Sequence, residues 1–341
     1  MREIHIGKTG ITTPQNGFGA LPIQRISREE AVRLVRMAYE GGMTYFDTAR
    51  AYSDSEEKLG YAFGGMRDKV ILATKSQAKT PDALRADLET SLRMLKTDCI
   101  DIYQFHNAAQ VYRPGDGTGM YECMEEFKKE GKIRHISLTA HKIGIAMEAA
   151  KSGLYATIQF PFSYLSGEKE QELVRTCRQN GVGFIAMKGL AGGLIRRADA
   201  AMAFMNEHDN VVPIWGVQKE SELRDWLSFM SKPAEMTPEI EAFIEKERTE
   251  LMGSFCRGCG YCAPCTVGIQ INACARMSLM VRRAPSADWL TPEWQAEMEK
   301  IDECIECGLC RDRCPYGLDI PNLLRENLAD YRAIIAGKIK V

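Results

Sequence analysis

No stretch of this chain approaches the run of about 20 apolar residues that a helical bilayer span requires, so a membrane partner is not expected. Acidic and basic residues nearly cancel, 46 against 44, for a net charge of −2, and without a basic excess nucleic acid is not an expected partner either. The opening residues, MREIHIGKTG, lack the layout of a secretory signal, which makes a disulfide framework unexpected and the cytoplasm the expected location. A Gly-rich dinucleotide fingerprint is missing after the first apolar strand run, which counts against a doubly wound open sheet. No flavin signature is legible; a flavin on the late loops of a barrel would be a guess from fold alone. What remains is a chain of 341 residues, 45% hydrophobic, with room for one large core and an appendage.

What is abundant is cysteine, and eight of the twelve stand in two bursts: Cys256, Cys259, Cys262, Cys265, then Cys304, Cys307, Cys310, Cys314 followed by Pro315. The second burst has the C-x2-C-x2-C-x3-C-P spacing of bacterial ferredoxins, in which three close thiolates hold one iron-sulfur cluster and the fourth reaches to another. Two bursts predict two 4Fe-4S clusters with all eight cysteines as ligands. By the crossing rule Cys256, Cys259, Cys262 and Cys314 hold one, and Cys304, Cys307, Cys310 and Cys265 the other. Structural zinc also takes four thiolates, but it usually comes as two C-x-x-C pairs across a spacer rather than four cysteines in ten residues. Thiolate clusters also need a reducing compartment, which agrees with a cytoplasmic location. Cys99, Cys123, Cys177 and Cys274 read as ordinary small hydrophobes.

From residue 16 to about 230, short apolar β-branched runs alternate with amphipathic stretches. Strands are expected at 16–21, 43–48, 69–75, 99–107, 132–139, 155–160, 181–188 and 210–216. Between them lie helical patterns such as REEAVRLVRMAYEGG and PDALRADLETSLRMLK, with Pro or acidic starts and Gly stops. Eight strand-helix repeats predict an α/β chain folded as a (β/α)8 TIM barrel over residues 1–230, with a small hairpin in the first dozen residues closing its bottom. Residues 231–252 read as a linker and one charged helix. Residues 253–341, poor in β-branched runs, are expected to form a small, mainly α-helical, ferredoxin-like domain carrying the clusters.

Active sites of such barrels are built at the carboxyl ends of the strands. Four polar residues stand there: Asp47 ends MTYFD, Tyr52 follows in the next loop, Lys75 ends VILATK, and His106 ends IDIYQFH. Each alone has a structural reading; together they form a convergent set of titratable groups. With their flanks, GFGALPIQR, YFDTARAYSDSE, ATKS and YQFHN, they resemble the aldo-keto reductase superfamily over residues 1 to about 230. CRGCGYCAPC and CIECGLCRDRCPYG extend the likeness, across essentially the whole chain, to the subgroup with a carboxyl-terminal ferredoxin-like domain.

The resemblance implies an NAD(P)(H)-dependent oxidoreductase with a catalytic tetrad of Asp47, Tyr52, Lys75 and His106 acting on a small carbonyl or alcohol. It also implies an extended nicotinamide dinucleotide across the strand ends, with counterparts of the family's contacts at Thr139, Gln159, Lys188, Leu190, Gly216, Gln218, Lys219 and Glu222. Three positions depart from the family's pattern. Gln218 stands where Arg or Lys often meets the ribose phosphate, Trp226 where Asn often meets adenine, and Ala140 where Asn often lies beside the nicotinamide amide; NADP and NAD both stay open. PFSYLSGE and the loop carrying Tyr112 and Tyr121 are candidate substrate walls.

A nicotinamide yields two electrons as hydride and a cubane takes one, the usual converter being a flavin. Three readings follow: a carbonyl reductase or alcohol dehydrogenase with the clusters as cap or sensor; an electron-transfer enzyme whose clusters exchange electrons with ferredoxin or another redox protein; and an idle barrel on an iron-sulfur regulatory protein. The complete tetrad argues against the third.

Overall fold

In the computed structural model, which describes residues 1–251, 255–283 and 286–341, parallel strands close into an eight-membered barrel. The members are β3 (Gly17–Gly19), β4 (Tyr45–Asp47), β5 (Ile71–Ser76), β6 (Ile100–Phe105), β7 (Ile133–Thr139), β8 (Thr157–Pro161), β9 (Gly183–Met187) and β10 (Val211–Gly216), and β10 pairs back onto β3. Each coincides with one of the apolar runs. Parallel strands covered on both faces need apolar residues at successive positions, and all six residues of β6 are buried.

Every strand is followed by a helix: α1 (Arg28–Glu40), α2 (Ser55–Ala62), α3 (Pro81–Leu95), α4 (Met120–Lys129), α5 (Ile143–Lys151), α6 (Glu168–Asn180), α7 (Ala198–Asn206) and α8 (Glu220–Ser231). Local chemistry sets several ends. The Ser27 hydroxyl accepts the Glu30 N–H at 3.2 Å, Thr80 does the same for Ala83 ahead of Pro81, and Gly181 ends α6 in the left-handed conformation at φ 68°.

The amino-terminal hairpin, β1 (Glu3–His5) paired antiparallel with β2 (Thr12–Pro14), plugs the end of the barrel opposite the strand carboxyl ends. Ile4 and Ile6, each 1% exposed, pack with Tyr45, Ile102, Ile185 and Val212. Gly7 makes this approach possible: at φ 52°, a Cβ there would lie 2.4 Å from the Gly183 nitrogen.

The chain divides into two compact units, 1–189 with 198–242, and 190–197 with 243–341. The division falls within the charged helix α9 (Pro238–Glu250); the expected boundary at 252/253 lies outside the described residues. The second unit is made of short helices, α10 (Ile271–Cys274), α11 (Met277–Arg283), α12 (Pro292–Glu299), α13 (Leu309–Asp312) and the longer α14 (Ile320–Ile335). Met277, Val281, Met298, Leu324 and Leu328 form its core, onto which the partly buried Cys304, Cys310 and Cys314 pack. Arg283 fastens α11 to α9 through a two-pronged pair with Glu247 at 2.7 and 2.8 Å. No helix among the described residues is long and apolar enough to cross a membrane.

Candidate active site and cysteine centre

Asp47, Lys75 and His106 occupy the carboxyl ends of three neighbouring strands, and Tyr52 lies in the loop between β4 and α2. Lys75 and Asp47 are 1% and 2% exposed, and the Lys75 ammonium donates to Asp47 Oδ1 at 2.5 Å and to the Thr48 carbonyl at 2.7 Å. Gln104 and Gln159 add weaker amide contacts to the two Asp47 oxygens, at 3.3 and 3.4 Å. Burial pushes Asp47 up and Lys75 down from their ordinary values, and each charge opposes that shift in the other. The pair is thus held by mutual compensation in a dry site, and loss of one partner would strand the other.

The Lys75 nitrogen lies 5.4 Å from the centroid of the half-buried Tyr52 ring. The His106 ring meets Tyr52 edge-on, with centroids 5.8 Å apart and planes at 86°. Burial, with help from Lys75, pushes His106 down to about 3, so the imidazole is neutral throughout the physiological range. A neutral imidazole can donate a hydrogen bond to a carbonyl oxygen but has no surplus proton to deliver. Its Nδ1 is buried without a hydrogen-bond partner among the described residues.

Of the residues expected to hold a dinucleotide, Thr139 and Gln159 stand side by side in the β7–β8 register and are each 1% exposed. Thr139 Oγ1 accepts the Asn107 N–H at 2.7 Å. Gln159 Oε1 is buried without a partner among the described residues, an acceptor of the kind a carboxamide N–H would satisfy, and with it a nicotinamide fits. Lys188 follows β9 in the left-handed conformation, φ 58°. Leu190 begins the segment 190–197 that belongs to the second compact unit. Gly216 and Lys219 are exposed beside a half-buried Gln218. Glu222 turns back on its own helix, its carboxylate accepting the N–H groups of Gln218 at 2.9 Å and Lys219 at 3.1 Å, so its visible work is capping α8.

Trp226 is 3% exposed and stacked on Trp215 at 3.9 Å and 5°, which makes it core packing. In the two candidate substrate walls the aromatic rings are placed differently, Tyr112 being half-buried. Tyr121 is 5% exposed with its hydroxyl on the Leu154 carbonyl at 2.9 Å, and Tyr164 is fully buried. Residues that sequence reasoning passed over are Gln104, which the β5–β6 register sets beside Lys75, and His141, 4% exposed and 3.2 Å from the Asn107 amide oxygen. Glu56 is another: it is buried, pairs with Arg50 and accepts from Thr74 at 2.6 Å and Ser91 at 2.8 Å, bracing the Tyr52 loop. Its position four residues after Tyr52 was the one available hint.

In the second unit the cysteines of the two bursts lie within reach of one another's charge, although among the described residues no three of them are arranged as ligands of a bound metal. One cavity is lined by Cys262, Cys265, Cys304, Cys307 and Cys310. The others bear on one another electrostatically. Burial, then Cys259 and Cys314, pushes the Cys256 thiol up, and burial with Cys256, Cys259 and Cys310 pushes Cys262 up to about 12. Thiols crowded in apolar surroundings resist ionisation unless cationic iron lies among them, so the donor set fits clusters. Cys256 and Cys262 are each 6% exposed. Cys307 is exposed, between Ile305 at 64% and Leu309 at 38% exposure, and the Leu309 N–H and the Thr266 hydroxyl hold its thiol below the ordinary value. Cys123 and Cys177 are buried in the barrel unit, and Cys274 is buried in the core cluster that also holds Cys256 and Cys262, as small hydrophobes are.

Comparison with known proteins agrees with this division. Residues 15–240 match the model of the aldo/keto reductase family, and residues 255–319 match that of a 4Fe-4S dicluster domain. Among solved structures, an aldo-keto reductase from Bacillus halodurans in its holo form is 23% identical with a TM-score of 0.63, the match covering 72% of this chain and 96% of that one. An aldo-keto reductase from Klebsiella pneumoniae in complex with NADPH is 23% identical with a TM-score of 0.61, covering 72% of this chain and 95% of that one. Both likenesses cover part of this chain and speak for the fold. With a family match over well more than half its length and a cysteine region matching a dicluster domain, the chain belongs to the aldo/keto reductase family of oxidoreductases and carries a 4Fe-4S dicluster domain at its carboxyl-terminal end.

Proposed function

We propose that the barrel reduces a small carbonyl compound, or oxidises the corresponding alcohol, by hydride transfer with NADP(H) or NAD(H), and that the chain carries two 4Fe-4S clusters on its eight grouped cysteines. The observation that carries the reading is the buried Lys75–Asp47 pair beneath the Tyr52 ring, with neutral His106 edge-on to it. A bound dinucleotide supplies the hydride that forms the new C–H bond. The chain's residues must then manage the oxygen, on which negative charge develops. His106 donates a hydrogen bond that orients the carbonyl and stabilises that charge. Tyr52 transfers its phenolic proton to the oxygen. A free phenol titrates near about 10, and the Lys75 ammonium lowers the cost of the phenolate that remains until solvent reprotonates it. Asp47 keeps Lys75 charged in a site whose burial opposes the charge. Gln159 and Thr139 are the residues that would hold the nicotinamide amide, and the Klebsiella relative with NADPH supports a dinucleotide of this type.

Tyr52→Phe tests the assignment. Carbonyl reduction should fall by about 10²–10⁴-fold, the usual worth of a positioned acid, while dinucleotide binding and the visible cluster spectrum stay unchanged. Retained turnover would remove Tyr52 from the acid role.

A second reading, in which ferredoxin or another redox protein exchanges electrons with the clusters, draws support from one observation. Cys307 and its apolar neighbours Ile305 and Leu309 are exposed, as a point of electron entry needs to be. Bleaching of the cluster absorbance by NADPH or NADH alone would favour it. A spectrum that bleaches only with dithionite would leave the hydride chemistry standing apart.

A further inference from the structure

The two ligand sets expected from the crossing rule have different surroundings. The first, Cys256, Cys259, Cys262 and Cys314, contains the two buried thiols, and beside it lies Arg276, in the turn between α10 and α11. Its guanidinium is seated between two glycine turns. One of its terminal nitrogens donates to the Gly192 carbonyl at 2.6 Å. A Cβ on Gly192 would lie 2.5 Å from that same nitrogen, and one on Gly258 2.7 Å from Cζ. Both glycines are left-handed, at φ 70° and 65°, so neither position readily takes a side chain that would displace the arginine. Gly258 lies inside the first cysteine burst, and its N–H donates to Cys256 Sγ at 3.4 Å. The Arg276 Nε–H is buried and has no acceptor among the described residues. A planar cation held this closely, with one donor left over, faces sulfur atoms that would carry the negative charge of a cluster.

The second group, Cys265, Cys304, Cys307 and Cys310, includes the exposed Cys307. The charge that bears on Cys307 is that of Arg313, an exposed residue reaching the Pro264 carbonyl at 3.2 Å. Solvent screens that charge, whereas the charge of Arg276 acts in a less polar setting and is worth correspondingly more.

We propose that Arg276 sets the reduction potential of the cluster on Cys256, Cys259, Cys262 and Cys314, raising it above that of the cluster on Cys265, Cys304, Cys307 and Cys310. The proposal rests on the two-cluster reading given above. Reduction adds one electron to a cluster, breaks no bond and requires no proton, because Arg276 is a cation before and after; its charge and its free Nε–H favour the more negative, reduced form. An electron from a one-electron donor entering at the exposed Cys307 edge would therefore settle on the inner cluster.

The test is a dithionite titration of the full chain, followed by EPR with iron analysis, on the wild type and on Arg276→Gln and Arg276→Lys. The wild type should hold eight irons, two clusters of four, and show two separated one-electron couples. Arg276→Gln should move only the higher couple to lower potential and close the gap, and Arg276→Lys should restore part of the shift. Unmoved couples at full iron content, or both couples moving together, would overturn the assignment. Loss of iron in Arg276→Gln that Arg276→Lys reverses, with its couples at the wild-type positions, would make Arg276 a purely structural residue and overturn it as well. Wild-type protein with four irons or a single couple would instead overturn the two-cluster reading.

Discussion

The barrel site and the cysteine region handle buried charge in opposite ways. At the strand ends the protein supplies both members of the ion pair: Asp47 faces Lys75 at 2.5 Å, and Gln104, Gln159 and the Thr48 carbonyl take up further hydrogen bonds. In the second unit the protein supplies ligands of one kind. Cys256 and Cys262 are pushed up by burial and then by each other's neighbours, and apart from Gly258 N–H and Arg276 little in the chain answers them. The first site is organised by the fold, whereas the second calls for iron to complete it. The two should therefore fail differently.

Removing iron should give the largest effect, because a metal centre in a small domain contributes its binding energy to folding. Amide protection in α10 to α14 is expected to be lost on chelation, while strands β3 to β10 keep theirs in the same hydrogen-exchange experiment. Equal protection of both regions without iron would erase the contrast drawn above.

Lys75→Met probes the other half. Leaving Asp47 buried and unpaired should cost about 3–5 kcal/mol in a denaturant titration and abolish turnover. Pairing it with Asp47→Asn should recover most of the stability but none of the activity. A single variant as stable as the parent would mean that the pair is not held by mutual compensation.

The smallest effect concerns pH. The folded value of His106, about 3, lies below the unfolded value of about 6.5, so the unfolded chain binds the proton more readily. The contribution of this residue to stability is fully present above about 6.5 and is lost as pH falls toward 3. His106→Gln should flatten that acid limb in a series of melts, and NMR of the wild type should find no His106 titration between pH 5 and 8. A titration near 6 would put a charged imidazole back among the candidate acids.

Much of the barrel was readable because a parallel strand covered on both faces must be apolar at successive positions, so IDIYQF and ILATK declared themselves along with the polar residues that end them. Cysteine spacing was equally plain, since a ferredoxin burst is a local pattern. Other residues were not readable. Gln104 looks like an interruption in an apolar run until the β5–β6 register sets it beside Lys75. Trp226, at the position expected near adenine, is stacked on Trp215, and Tyr121 and Tyr164 of the candidate walls are buried, Tyr121 with its hydroxyl on the Leu154 carbonyl. Glu222 stands among the expected dinucleotide contacts but is engaged with the start of its own helix.

By itself the sequence determined the repeat of strand and helix, the residues at the strand ends and the supply of thiols, because each of these is written in neighbouring positions along the chain. Only the tertiary structure decided which buried groups compensate one another, which aromatic rings are core, and that Arg276 sits between Gly192 and Gly258 beside Cys256, 84 residues of separation closed by one hydrogen bond. Burial and distance set the strength of a charge, and both arise only when distant segments meet.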